Sequence, residues 1–244
     1  MFVRGLRAPL LGLSLAMWIT GAHAAQATVA VAANFAEPMR AVAEVLRKTT
    51  GHTLEISVGS TGRLYAQVRS GAPFDAMLAA DQRVPEQLEA DGLAVPGSRF
   101  TYATGKLVLW SADAAQVDAR GDVLRSGAWR KLAIANPKTA PYGAAAIEAI
   151  DKLGLATGIT PRLVQGESIG QAHNFVFTGN AEIGFVAMSQ VLQGGLGHRL
   201  HIQLGIGCLD PDLGRQFHFI AAHPHVQVVG VAGPAFPHPR GAQD

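Results

Sequence analysis

Three stretches of this chain share one construction: an apolar run ends in a cluster of small polar residues, a helical pattern follows, and, apart from Lys138 between the two halves of the third, no lysine or arginine sits within the cluster. Residues 29–33 lead into Asn34, residues 54–58 into Gly59-Ser60-Thr61-Gly62, and residues 132–135 into Asn136-Pro137 and then Pro141-Tyr142-Gly143. A helix N-terminus offers backbone N–H groups without intrahelical partners and a partial positive charge. Several of them converging on one point make an anion site without any cation. The pattern therefore implies a receptor for a small oxyanion.

The rest of the chain alternates strand and helix. After the first run, Phe35, Met39, Val42, Val45 and Leu46 keep helical spacing, with Asn34 expected as N-cap, Glu37 as its capping-box partner and Gly51 as the stop. Leu64, Tyr65 and Val68 line a second short helix closed by Gly71, residues 76–80 read as a third strand, and a helix through Leu88 stops at Gly92. From Phe100 the alternation restarts: residues 107–110, 132–135 and 183–187 are strand candidates, and residues 144–153 form a helix ended by Gly154. Such βαβαβ order predicts an α/β fold of two lobes, each a mostly parallel sheet flanked by helices, with a crossover around residues 99–105 and ligand in the cleft beyond the carboxyl ends of the strands.

The first 24 residues are of another kind. Arg4 and Arg7 precede an apolar stretch over residues 8–19, and Ala22-His23-Ala24 supplies small residues where a signal peptidase reads. The stretch is too short for a membrane span, which needs about 20 residues, so it is read as a signal peptide cleaved after Ala24, with export to the periplasm. Without Arg4 and Arg7 the chain carries 18 basic and 18 acidic residues. That balance argues against nucleic acid or an anionic membrane as partner. The single cysteine, Cys208, excludes an internal disulfide.

Seven segments carry a family resemblance: Ala32-Ala33-Asn34-Phe35, Gly59-Ser60-Thr61-Gly62-Arg63-Leu64-Tyr65, Gly71-Ala72-Pro73-Phe74-Asp75, Ala79-Ala80-Asp81-Gln82, Pro96-Gly97-Ser98-Arg99-Phe100-Thr101-Tyr102, Asn136-Pro137-Lys138-Thr139-Ala140-Pro141-Tyr142-Gly143 and Gly184-Phe185-Val186-Ala187. In order and spacing, over residues 28–195, the chain resembles the periplasmic molybdate-binding proteins of bacterial molybdate ABC transporters, within the type II periplasmic binding proteins. The resemblance implies a monomeric receptor that closes over molybdate or tungstate and delivers it to a membrane permease, with no cofactor and no catalysis. It also implies the domain plan: leader 1–24, first lobe 25–102 with a returning segment near 205–244, and second lobe 103–204.

Matched position by position, the resemblance points to Asn34 and the hydroxyl pair Ser60 and Thr61 on the first lobe, and to Tyr142 and the backbone N–H of Ile169 on the second. Where another branch of the family has a tyrosine, this chain has Ala187, and Tyr142 is expected to supply that hydroxyl instead. The chemistry is consistent. Molybdate is a deprotonated dianion at neutral pH, so donors alone suit it, whereas protonated phosphate would reward a carboxylate acceptor. Sulfate, phosphate or another oxyanion stays open as an alternative ligand, as does a homologue that no longer binds.

Other features fit other readings less well. Asp75 and Asp81 flank a strand and are expected as turn caps rather than an acid/base pair. Ser60 lacks a G-x-S-x-G context and no histidine lies in a motif loop. Six of nine histidines, His198, His201, His218, His223, His225 and His238, fall near the C-terminus, in spacing that matches no structural zinc pattern. That tail departs from the family: residues 213–220 resemble the returning strand only weakly, and Pro and Gly follow where relatives carry closing helices.

Overall fold

Placement of the site starts from strand register. Strand β1, Gln26–Ala32, runs in the middle of a sheet between β2, Thr53–Gly59, and β3, Ala76–Ala79, parallel to both. Ala32 lies opposite Gly59, and Val31 opposite Leu78, so all three strands end level at one sheet edge. The computed structural model describes residues 24–118 and 121–193 and the backbone of one further strand at 215–221. The leader, Cys208 and the tail histidines other than His218 lie outside the described residues.

Each parallel strand hands over to a helix because the sequence changes period there. A short 3-10 turn, Ala33–Phe35, follows β1 and leads into α1, Ala36–Thr50. Helix α1 stops at Gly51, whose φ of 78° is the left-handed conformation that glycine adopts without a Cβ penalty. Helix α2, Thr61–Arg69, follows β2, and α3, Arg83–Ala90, follows β3. Alternate residues of the strands feed opposite layers: Ala30, Met77 and Ala79 pack with Leu64 and Leu88, while Val29, Val31, Ala76 and Leu78 pack with Met39.

Two antiparallel strands complete this first sheet, in the order β2-β1-β3-β9-β4. They are β4, Phe100–Gly105, and β9, Arg215–Ala221, which lies between β3 and β4. The segment expected as a crossover is thus largely a strand, and the weakly matching returning segment takes its place in the sheet. At Lys106 the chain leaves for a second sheet of order β5-β8-β6-β7. Its members are β5, Leu107–Trp110, β6, Leu132–Ala135, β7, Leu163–Gly166, and β8, Ile183–Ala187. Strands β6, β7 and β8 are parallel, with Ala135 opposite Gly166, and β5 is antiparallel to β8.

Helices α4, Val123–Ser126, α5, Pro141–Lys152, α6, Ala156–Ile159, α7, Ile169–Phe177, and α8, Met188–Gln193, surround the second sheet. Helix α5 begins three residues before the expected Ala144, because Pro141 cannot use an N–H and suits the first helical position. A Leu, Ile and Phe core with Leu132, Ile134, Ile150, Ile183 and Phe185 at its centre fills one face. The other face meets the first lobe through a cluster in which eight of fifteen buried residues are alanine, including Ala32, Ala80, Ala135 and Ala140. Small side chains there let the backbones of the two lobes approach each other.

Gly143 shows how tight that approach is within the second lobe. A Cβ at this position would fall inside the backbone of Ala135 and Asn136. Gly143→Ala is therefore expected to lower the unfolding free energy by about 3 kcal/mol, the upper range for overpacking where backbone must shift. Urea denaturation followed by far-UV circular dichroism measures it, and an unchanged midpoint would contradict the packing of α5 on β6.

Candidate functional site

The level ends of β1, β2 and β3 face the level ends of β6 and β7, and between them lies a small cavity. Its walls are Ala32, Ala33, Asn34, Gly59, Ser60, Thr61 and Ala80 from the first lobe and Ala140, Pro141, Tyr142 and Ile169 from the second. The space left between these walls is small, about 10 Å³, enough for one small species. All five residues singled out in the sequence meet here.

Asn34 is 3% exposed and sits in the 3-10 turn, two residues ahead of α1. The expected capping box does not form. Phe35 occupies the N-cap position without a side-chain hydrogen bond, and Glu37 pairs with Arg40 instead. The reason is geometric: the 3-10 turn buries the Asn34 side chain at the cavity, leaving its oxygen without a partner, rather than folding it over the helix start. The backbone carbonyl of Asn34 accepts a 2.6 Å hydrogen bond from the Ser189 hydroxyl at the start of α8, a link between lobes that sequence reasoning did not identify.

Ser60 holds the N-cap position of α2 in extended conformation, yet its hydroxyl does not cap the helix. Its Oγ is buried without a partner. Thr61 is 1% exposed, and its Oγ1 accepts the N–H of Ala80 at 3.0 Å, so its hydroxyl proton stays free to donate. Gly62 then reaches across to the second lobe: its N–H donates to the carbonyl of Thr139 at 2.8 Å. A Cβ on Gly62 would meet that same carbonyl at 2.8 Å, so only glycine permits this approach.

On the second lobe, Tyr142 is the second residue of α5 and is 4% exposed. The N-cap of that helix is Ala140, which has no side-chain oxygen to satisfy the first turn. Ile169 opens α7, whose N-cap Ser168 accepts the N–H of Gln171 at 3.3 Å. The Ile169 side chain is buried in the interlobe cluster, its carbonyl accepts from Gln190 Nε2 at 3.3 Å, and the residue lines the cavity at the first turn of α7. Ala187 is fully buried in β8 and forms no part of the wall.

No lining residue carries a charge. Arg63 and Glu167 pair at 3.7 Å, one from each lobe, with side chains more than half exposed. Asp75 accepts the N–H of Thr28 at 2.7 Å and Asp81 that of Val84 at 3.1 Å, both as structural caps outside the cavity. Among the described residues no three His, Cys, Asp or Glu gather as a metal site. The arrangement holds donors and helix starts, with neither a general base nor a carboxylate beside Ser60. Donors and helix starts of this kind can hold an anion.

A second, larger cavity of about 260 Å³ lies on the side of Lys106 and shares Asn34 and Tyr142 as walls. Tyr102, from one of the seven motif segments, packs against Phe35 and the interlobe cluster that holds Tyr142. Burial first, and then the neighbouring Tyr142, holds its phenol protonated well above the usual range.

Comparison with known proteins agrees with this architecture. A molybdate-binding protein, ModA, of Azotobacter vinelandii is 57% identical over 174 residues, spanning 71% of this chain and 69% of the relative. The ModA protein of Rhodobacter capsulatus is 50% identical over 192 residues, 78% of this chain and 76% of its own. The solved structure of the Azotobacter vinelandii periplasmic molybdate-binding protein superposes with a TM-score of 0.69 at 38% identity, covering 80% of this chain and 85% of that one. Residues 27–213 match the bacterial extracellular solute-binding proteins. These relatives are carriers of solutes rather than enzymes, and the chain belongs to the bacterial extracellular solute-binding protein family and, within it, to the ModA proteins.

Proposed function

We propose that this protein is the substrate-binding component of an ABC importer, which captures molybdate in the periplasm and delivers it to a membrane permease. The observation that carries the reading is a buried cavity without charge, in which polar atoms of Asn34 and Ser60 have no protein partner. A buried polar group without a partner costs about 1–3 kcal/mol. An anion in the cavity would relieve that cost at Ser60, whose hydroxyl can donate to it, and at Asn34 once the amide turns its NH₂ end, rather than its oxygen, to the ion.

Asn34, Ser60 and Thr61 take the ion on the first lobe, and Tyr142 with the Ile169 N–H engages it as the second lobe swings over. Asparagine can present its NH₂ end to the ion, hydroxyls and backbone N–H groups donate, and no group in the wall is ionised to accept. A dianion with no proton of its own fits such a set, and tungstate, of the same charge and shape, is expected to share the site. The lobes divide a few residues beyond the expected 102/103, near Lys106, since β4 runs to Gly105 in the first sheet; the leader is removed after Ala24, and the receptor works as a monomer. Glycine at 62 and the Gly62–Thr139 and Ser189–Asn34 bonds support closure around the ion.

Three measurements test this reading. Thermal unfolding with molybdate, tungstate, sulfate or phosphate in equal excess should show stabilisation of about 2.7 kcal/mol at 100 times Kd, and a rise of several degrees, for the first two alone. A rise with sulfate or phosphate would reassign the ligand, and no rise with any of them would remove the oxyanion reading. By titration calorimetry, Tyr142→Phe should weaken molybdate binding by about 1.5–3 kcal/mol, the value of one hydrogen bond to a charged group; unchanged affinity would take Tyr142 out of the site. Tyr142 is the one ionisable residue of the wall, and phenols titrate near about pH 10, so molybdate affinity should vary by less than about twofold between about pH 6 and about pH 9. A titration within that interval would reveal an ionisable contact.

A further inference from the structure

Tyr102 lies on β4 where its ladder with β9 slips. Thr101 stands opposite His218 and Ala103 opposite Phe217, which leaves Tyr102 as the extra residue of a β-bulge. Bulges re-aim a side chain and recur beside functional sites. Here the Tyr102 ring packs edge-on against Phe35, with centroids 4.9 Å apart and planes at 65°, and against the interlobe cluster that holds Ala32, Ala80 and Tyr142. Its hydroxyl donates to the carbonyl of Ala79 at 3.3 Å.

The carbonyl of Ala79 and the N–H of Ala80 belong to one peptide group, whose resonance couples them. That N–H donates to Thr61 Oγ1 at 3.0 Å in a buried bond. Thr61, with its oxygen engaged as acceptor, keeps one hydroxyl proton and lines the cavity. The two bonds run the same way, Tyr102 to Ala79 and Ala80 to Thr61, and the remaining Thr61 proton can continue the series into the cavity. Hydrogen bonds aligned head to tail polarise one another, by about 10–30% per bond.

We infer that Tyr102 is a positioning residue of the oxyanion site, which fixes and polarises the Thr61 hydroxyl through the Ala79–Ala80 peptide. The inference rests on the cavity being the oxyanion site. It assigns to strand β4 a part in ligand affinity, although Tyr102 is not in the cavity wall. Phenylalanine at this position would keep the ring on Phe35 and remove only the donor.

Molybdate titration calorimetry on the whole protein tests it, with Tyr102→Phe placed in three backgrounds: unaltered, Thr61→Ser and Thr61→Val. Loss of the hydroxyl should weaken binding about two- to fivefold in the unaltered protein and in Thr61→Ser, which keeps a hydroxyl. It should have no further effect in Thr61→Val, which has none. A general structural role would instead give the same loss in all three, and that result, or no loss in the unaltered protein, overturns the inference while leaving the oxyanion reading intact. An unaltered protein that binds neither molybdate nor tungstate overturns both.

Discussion

An ion removed from water without a counter-charge must receive hydrogen bonds from groups already in place. For a carboxylate-sized ion the uncompensated cost of transfer to a dry interior is about 20 kcal/mol, and a dianion costs more. Groups that had to reorganise on binding would consume the gain, so the donors must be fixed beforehand by the fold. The level strand ends of the first sheet meet that requirement. Ala32 and Gly59 share a register position, which brings the turn bearing Asn34 and the helix start bearing Ser60 and Thr61 to the same edge. Ala135 and Gly166 do the same for Tyr142 and Ile169 on the second sheet.

The alanine-rich seam between the lobes follows from the same constraint. Donors on two separate sheets can surround one small ion only if the sheets come close, and bulky side chains at Ala32, Ala80, Ala135 or Ala140 would hold them apart. Glycine extends this to contact between main chains, as at Gly62 against Thr139. Phe185 and Met77 lie on faces away from the cleft, where each lobe is stabilised on its own, while Trp110 and Tyr142 are the large members of the seam. Packing strength and cleft geometry are thereby assigned to different residues.

Much of the scaffold was legible in the sequence because period and punctuation agreed. Strands β1, β2, β3, β6 and β8 appear as short apolar runs, and Gly51, Gly92 and Gly154 stop helices with positive φ as expected. Strands β4 and β7 were not read, for a physical reason. Phe100–Gly105 is half exposed and irregular, with a bulge that breaks its alternation, and Leu163–Gly166 is short with only its last residue buried. Asn34 was read both as helix cap and as ligand contact, because one residue type suits either, and only the cap is overturned, Phe35 taking that position. Only the buried 3-10 turn distinguishes them. The residues that join the lobes, Ser189 and Thr139, leave no local signal at all, because their partners are distant in sequence.

Specificity on such a scaffold follows from stiffness more than from the identity of the donors. Sulfate and molybdate are both tetrahedral dianions, so hydroxyls and N–H groups satisfy either in kind. What differs is size. A wall made of flexible lysine or arginine side chains would adjust to each, whereas strand ends and first helical turns cannot move without disturbing the β1–β2 and β6–β7 ladders behind them. An ion that is too small leaves some donors out of reach, and each unmade bond in a buried site carries its full desolvation cost. One that is too large keeps Gly62 from Thr139 and Ser189 from Asn34, so the bonds that close the lobes are lost. On the proposed reading radius would be sensed twice, once by the donors and once by closure, in a wall that carries no charge.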